Sequence, residues 1–198
     1  MTVDLTVLWH TNRRWRAWMD ANTKFVTPKT LGCLRHMRNE TCEAADLLMR
    51  LEYPEEARNN GRHSTVEQEL ADVAMMALTA LDKPPEVSRS SRTEFDIDYL
   101  CHYANDAVIE FREDSGEWGW WQAEVESVID FVLVYPGLDL PAELGRCWRR
   151  LAVKHGKPAL MTLWREQGLI SDHMAEYVGQ GDTWSNPYYP APWLVEES

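Results

Sequence analysis

Four carboxylates fall into two pairs whose spacing suits metal-ion chemistry. Glu40 and Glu43 lie three positions apart, as do Glu69 and Asp72, and residues three apart on a helix share a face. If the helices carrying them pack side by side, the four acids converge. Acids gathered in this way raise one another's pKa unless something positive compensates. Hard cations such as Mg²⁺ take oxygen ligands while keeping positions open for phosphate oxygens and water, and Mn²⁺ accepts the same donors. Glu69, Asp72 and Met76 flank the apolar stripe Val66, Leu70, Val73 and Ala77 rather than oppose it. That register puts the acids at the rim of a core. With 32 acidic residues in 198, however, such pairs also arise by chance as solvated faces, so spacing alone does not decide between the two.

Other chemistries lack their residues. The chain has no G-x-x-x-x-G-K-[ST], no G-x-S-x-G and no H-E-x-x-H, and none of its six histidines follows a glutamate by three positions. The four cysteines, separated by 9, 59 and 46 positions, form no C-x-x-C pair and read as small core residues rather than a disulfide frame or zinc site. A net charge of −12 argues against a grip on a nucleic-acid polymer. Residues 1–50 nevertheless hold eight Lys/Arg against five acids, which suits a small anion. Uncharged apolar stretches such as 131–138 fall far short of the ~20 residues that span a bilayer. The N-terminus has no signal-peptide layout, so the expected location is cytoplasmic, away from membranes.

The elements that must position the acids read as helices almost throughout, which predicts an all-α fold. The first runs from Leu5 to about Ala21. Thr27 then offers a cap and Pro28 a first helical turn for a second helix that carries Glu40 and Glu43 toward Leu51. After a turn-rich stretch over 53–61, Ser64-Thr65-Val66-Glu67 has the form of a capping box ahead of the helix with Glu69 and Asp72. Prolines 84 and 85 and the Ser/Arg run 88–92 mark a linker over 83–94. Beyond it, Ile97, Leu100, Cys101, Ala104, Val108 and Phe111 define one helix, and Val125, Val128, Ile129, Val132 and Leu133 another. A further helix from about Pro141 to His155 is expected to stop at Gly156 and Pro158, followed by one over 159–178 and a proline- and aromatic-rich tail. The implied organisation is 1–82, linker 83–94, a second helical half 95–158, and a C-terminal segment 159–198.

Three stretches carry a family resemblance: Phe25 to Leu31, Arg38 to Leu48, and Glu67-Gln68-Glu69-Leu70-Ala71-Asp72-Val73. Together they resemble the MazG-like all-α nucleoside triphosphate pyrophosphohydrolases, which include dCTP pyrophosphatases and dimeric dUTPases. The E-x-x-E and E-x-x-D pairs, here with 25 residues between Glu43 and Glu69, match the family signature, and Trp15-x-x-Trp18 followed by Phe25–Pro28 is similar to the dCTP pyrophosphatase branch. The likeness covers residues 9–82. Val26 and Met76 depart from that branch, which leaves the base open. Residues 95–156 resemble a degenerate second copy, with Ile109 and Ser127 where acids would stand.

The resemblance implies Mg²⁺-dependent hydrolysis of a nucleoside triphosphate, of the dNTP kind, to the monophosphate and pyrophosphate. Glu40, Glu43, Glu69 and Asp72 would be the metal ligands and Glu40 the base, with little to separate it from Glu43. Trp15, Trp18 and Phe25 would wall the nucleobase, and Lys29, Arg150 and Lys154 would contact the phosphates. A homodimer or larger homo-oligomer is expected. The alternative is a MazG-like bundle without catalysis that senses nucleotides or docks partners.

Overall fold

A computed structural model describes residues 3–52, 64–86, 94–113, 119–170 and 191–194. Those residues form six α-helices and no strand: α1 Leu5–Asn22, α2 Thr30–Glu52, α3 Val66–Ala80, α4 Ile97–Glu113, α5 Trp120–Leu133 and α6 Leu140–Glu166, with a 3₁₀ turn at Pro192–Leu194. The all-α expectation holds. The turn-rich stretch after Tyr53, the Ser/Arg run 88–92, and most of the aromatic tail lie outside the described residues, as does 171–178 of the last expected helix.

The chain divides into two compact units, one drawn from Met1–Trp9 with Pro28–Leu144 and the other from His10–Thr27 with Gly145–Ser198. Residues 28–82 and 95–144 share the first unit, because their helices bury one another's apolar faces.

In the first unit α2 packs on α3 and α4, while α5 packs on α3 and α4. The four helices therefore form a ring in which each touches two neighbours. α2 turns Leu34, Met37, Thr41 and Ala44 inward at helical spacing. α3 is apolar almost all round, and from Glu69 to Leu81 every residue except Asp72 and Met76 is buried. Trp9 reaches this unit through its indole, which donates to the Leu81 carbonyl at 3.2 Å, satisfying a carbonyl at the end of α3.

α1 starts at Leu5 as expected, whereas α2 and α3 start later than expected, for local reasons. α2 begins at Thr30 rather than at the Thr27 cap: the Thr27 hydroxyl and amide both donate to Asp20 Oδ1, at 2.8 and 3.2 Å. The first helical acceptor is instead the Lys29 carbonyl, which takes the Cys33 amide at 3.0 Å. At α3 the box is built one residue later than expected. Thr65 is the N-cap, its hydroxyl accepting from the Gln68 amide while the Gln68 side chain accepts from the Thr65 amide.

In the second unit α1 and α6 are tied by tryptophans. The Trp15 indole donates to the Trp148 carbonyl at 3.1 Å, and the Trp148 indole donates to Asn12 Oδ1 at 3.0 Å. The span Leu140–Glu166 is broken where the stop was expected: Gly156 has non-helical angles (φ −121°, ψ 18°), so α6 is two helices joined by a kink there. A Cβ at Gly156 would come within 2.8 Å of Trp18 Cη2 and Thr23 Cγ2, and Pro158 removes a helical donor just beyond, so bend and close approach coincide. The helix ends in a Schellman closure, with Gly168 at φ 69° and the Leu169 amide donating to the Trp164 carbonyl at 2.8 Å.

Trp15 is only 2% exposed, so Trp15→Ala is expected to cost about 3–5 kcal/mol. A shift of the urea unfolding transition, read by circular dichroism, measures it.

Candidate metal centre

α2 and α3 bring the sequence-marked acids together. One carboxylate oxygen from each of Glu40, Glu43 and Glu69 lies within 4.8 Å of the other two. Asp72 is near enough for its charge to act on both Glu40 and Glu69. The local fold explains the convergence. Glu40 and Glu43 flank the inward residues Thr41 and Ala44 of α2, and on α3 the two positions left unburied beyond Glu69, Asp72 and Met76, follow it at three and seven residues. They continue one helical side.

The acids differ in environment. Glu69 is 5% exposed, in the opening turns of α3, where the helix dipole favours a negative group. Its carboxylate accepts hydrogen bonds from Ser64 and from the Glu40 side chain. Burial raises its pKa, the Ser64 bond opposes that rise, and the charges of Asp72 and Glu43 add to it. Glu40 is pushed up to about 8, first by burial, then by the charges of Asp72, Glu43 and Glu69, and finally by its hydrogen bond to Glu69. Burial thus drives both carboxyls toward the neutral form, and the two share a hydrogen bond.

Such a donor set fits a hard divalent cation. Its members are oxygen acceptors when ionised, and ligands on one octahedral Mg²⁺ at 2.0–2.1 Å lie roughly 3–4 Å apart, a small side-chain adjustment from the observed spread. A cation would also remove the repulsion that raises Glu40.

Comparison with protein-family models, with curated proteins and with solved structures gave no match. The reading of the site therefore stands on its residues.

The remaining expected site residues are placed as follows. Lys29 is exposed just before α2 and 11 residues from Glu40, about 16 Å along a helix axis. One phosphate group cannot span that. Trp15, Trp18, Phe25, Arg150 and Lys154 belong to the second unit. Trp15 is a correction: its ring is enclosed and its indole donor is committed to Trp148, so it is a core residue rather than a wall for a base. Trp18 is half-buried against Trp193, with ring centroids 5.3 Å apart, and Phe25 lies 5.2 Å from the His155 ring. Arg150 is half-buried beside Cys147 Sγ at 3.8 Å, and Lys154 is exposed.

Sequence reasoning missed Ser64. Its signal was present, because Thr65-x-x-Gln68 fits a capping box as well as Ser64-x-x-Glu67 does. Choosing the later register releases the Ser64 hydroxyl to Glu69.

The direction of the Glu40 shift fixes a pH dependence. Between an ordinary 4.5 and about 8 the folded chain holds a proton that the unfolded chain has lost, so Glu40 stabilises the fold fully below 4.5 and this contribution fades as pH rises to about 8. Without divalent cations the melting temperature should therefore contain a component that falls across that window. Glu40→Gln should flatten it, and saturating Mg²⁺ should raise stability most at the alkaline end. At a hundredfold excess over its dissociation constant a ligand contributes about 2.7 kcal/mol. Thermal melts of both proteins from pH 5 to 9, with and without Mg²⁺, test this.

Proposed function

We propose that the protein is a Mg²⁺-dependent nucleoside triphosphate pyrophosphohydrolase of the MazG-like kind, cleaving a dNTP between the α and β phosphates to release the monophosphate and pyrophosphate. The observation that carries this reading is the convergence of an E-x-x-E pair from α2 with an E-x-x-D pair from α3 at the rim of a four-helix core. The packing of α4 and α5 against that hairpin supports it further, since it is what a second, degenerate copy would provide.

Glu40, Glu43, Glu69 and Asp72 would hold Mg²⁺, or Mn²⁺ in its place. When bound, the cation supplies neutralisation of phosphate charge, polarisation of the attacked phosphorus and an acidified water. The chain's own contribution is a set of fixed oxygens on two packed helices, which hold the triphosphate in place at no cost in reorganisation during the reaction. Glu40 is the group to accept the water proton at its carboxylate. Burial is the largest cause of its raised proton affinity and would persist once a cation has displaced the proton that Glu40 takes up in the metal-free chain, which suits a general base.

This reading takes the protein to be cytoplasmic and a homodimer or larger homo-oligomer. Leu51, Tyr99 and Trp120 are the most exposed large apolar side chains of the four packed helices. Among the described residues no helix is long and apolar enough to cross a membrane.

The test is turnover of the canonical NTPs and dNTPs with Mg²⁺, with products resolved. Monophosphate and pyrophosphate are expected from at least one substrate, and Glu69→Ala and Asp72→Asn should each lower its turnover by more than the ~10–100-fold that follows loss of an outer-shell group. Diphosphate and phosphate as products, or activity untouched by both substitutions, would overturn the reading. Silence across the panel combined with no Mg²⁺-dependent rise in melting temperature would favour the non-catalytic module.

A further inference from the structure

The 3₁₀ turn near the end of the sequence, closed by the Leu194 amide donating to the Ala191 carbonyl at 2.9 Å, belongs to the same unit as most of α1. Two contacts seat it on that helix. Arg14 donates through Nε to the Trp193 carbonyl at 3.0 Å, and the Trp193 ring lies 5.3 Å from that of Trp18, tilted by 57°. Trp193 and Ala191 are each only 3% exposed, while Leu194 keeps 48% of its surface in solvent. The turn thus has one enclosed face and one that meets water. The receiving side is organised by its own helix. Arg14 also donates through Nη2 to the hydroxyl of Thr11, a buried residue one turn back on α1. That bond holds the planar guanidinium, which gives its Nε–H a set aim. Trp18 follows Arg14 by four positions and so shares its helical face. Any peptide offers a main-chain carbonyl, but few offer a ring the size of indole. Arg14 therefore supplies grip and Trp18 selection, the division found on peptide-binding surfaces, and Arg and Trp are the residue types that most often dominate binding.

We propose that the Arg14–Trp18 face of α1 is a binding site for a tryptophan-bearing peptide turn, and that residues 191–194 are its resident ligand, docked in cis as a separable strap. The site shares no residue with the carboxylate centre and does not depend on the metal-binding reading. A ligand on the same chain binds as an intramolecular partner, at an effective concentration on the order of millimolar. A free peptide of the same sequence therefore meets a filled site in the wild type and an open one when the Trp193 ring is removed.

The experiment adds a labelled peptide of residues 187–198 to the full-length protein and reads binding by fluorescence anisotropy. Trp193→Ala is expected to bind the peptide, and the wild type to bind it at least about tenfold more weakly because its own turn is in place. A peptide that itself carries Trp193→Ala should not bind. Adding Arg14→Gln to the Trp193→Ala protein should weaken peptide binding about tenfold, through loss of a charge-assisted donor. Circular dichroism of Trp193→Ala should match the helical signal of the wild type. If that variant does not fold, Trp193→Phe, with its smaller ring, must bind the peptide more tightly than the wild type does. Loss of the helical signal in both variants would make the turn an integral part of the core and overturn the proposal. Equal peptide binding by the wild type and the folded variant, or none by either, would overturn it as well. A wild-type dimer that becomes monomeric on Trp193→Ala, read by light scattering, would assign the turn to the site of a second copy and overturn docking in cis.

Discussion

Acids placed side by side against a core are the constraint around which the first unit is arranged. Carboxylates lose hydration when buried and repel one another when gathered, and each effect favours the neutral form. A sequence with no use for such a cluster relieves it cheaply, by turning the acids one helical position toward solvent. Here the neighbouring positions forbid that. Thr41 and Ala44 fix the rotation of α2 against the core, and α3 is buried on every side but the one carrying Asp72 and Met76. Rotating either helix to expose its acids would expose apolar surface, at roughly 25 cal/mol per Å². The core therefore holds the carboxylates in a state that they disfavour on their own.

That tension explains the division of labour among the acids. Glu69, the most enclosed, has Ser64 and Glu40 as hydrogen-bond partners, and it sits where the α3 dipole favours charge. Glu40 has no such support and takes up the strain as a raised proton affinity. A cation held there as proposed would compete with that proton for the same oxygens, which would couple metal binding to proton release.

Much of this was legible in the sequence, because helical periodicity reports both the apolar face and what lies beside it. The stripe Val66, Leu70, Val73, Ala77 and Leu78 predicted which side of α3 is inward, and with it the side to which Glu69 and Asp72 belong. The pairing of α2 with α3 was legible only as a condition, since spacing within helices says nothing about distance between them. What periodicity cannot carry was missed. The register of a capping box is a competition between Ser64 and Thr65, which the residue types leave open. The fate of Trp15 depended on a partner 133 residues away, and an indole among apolar neighbours reads the same whether it faces a ligand or the Trp148 carbonyl. Gly156 with Pro158 is a stop signal in local terms, and the helix does break at Gly156, where Trp18 and Thr23 approach too closely for a Cβ.

The aromatic residues of the second unit bear on how the molecule divides. Trp15, which local rules assigned to a ligand wall, and Trp148, which they assigned inward, both serve the packing of that unit, and Trp18 closely approaches Gly156 at its kink. The acidic pairs, which local rules assigned to one site, serve nothing in the packing of the first. A tryptophan adds dispersion and apolar burial wherever it is enclosed, so its placement in a core needs no further reason. Glu40 and Glu69 add none of this: burial pushes both toward the neutral form, so their placement beside the core is not accounted for by packing alone, and that is why the proposed reading of the molecule starts from them.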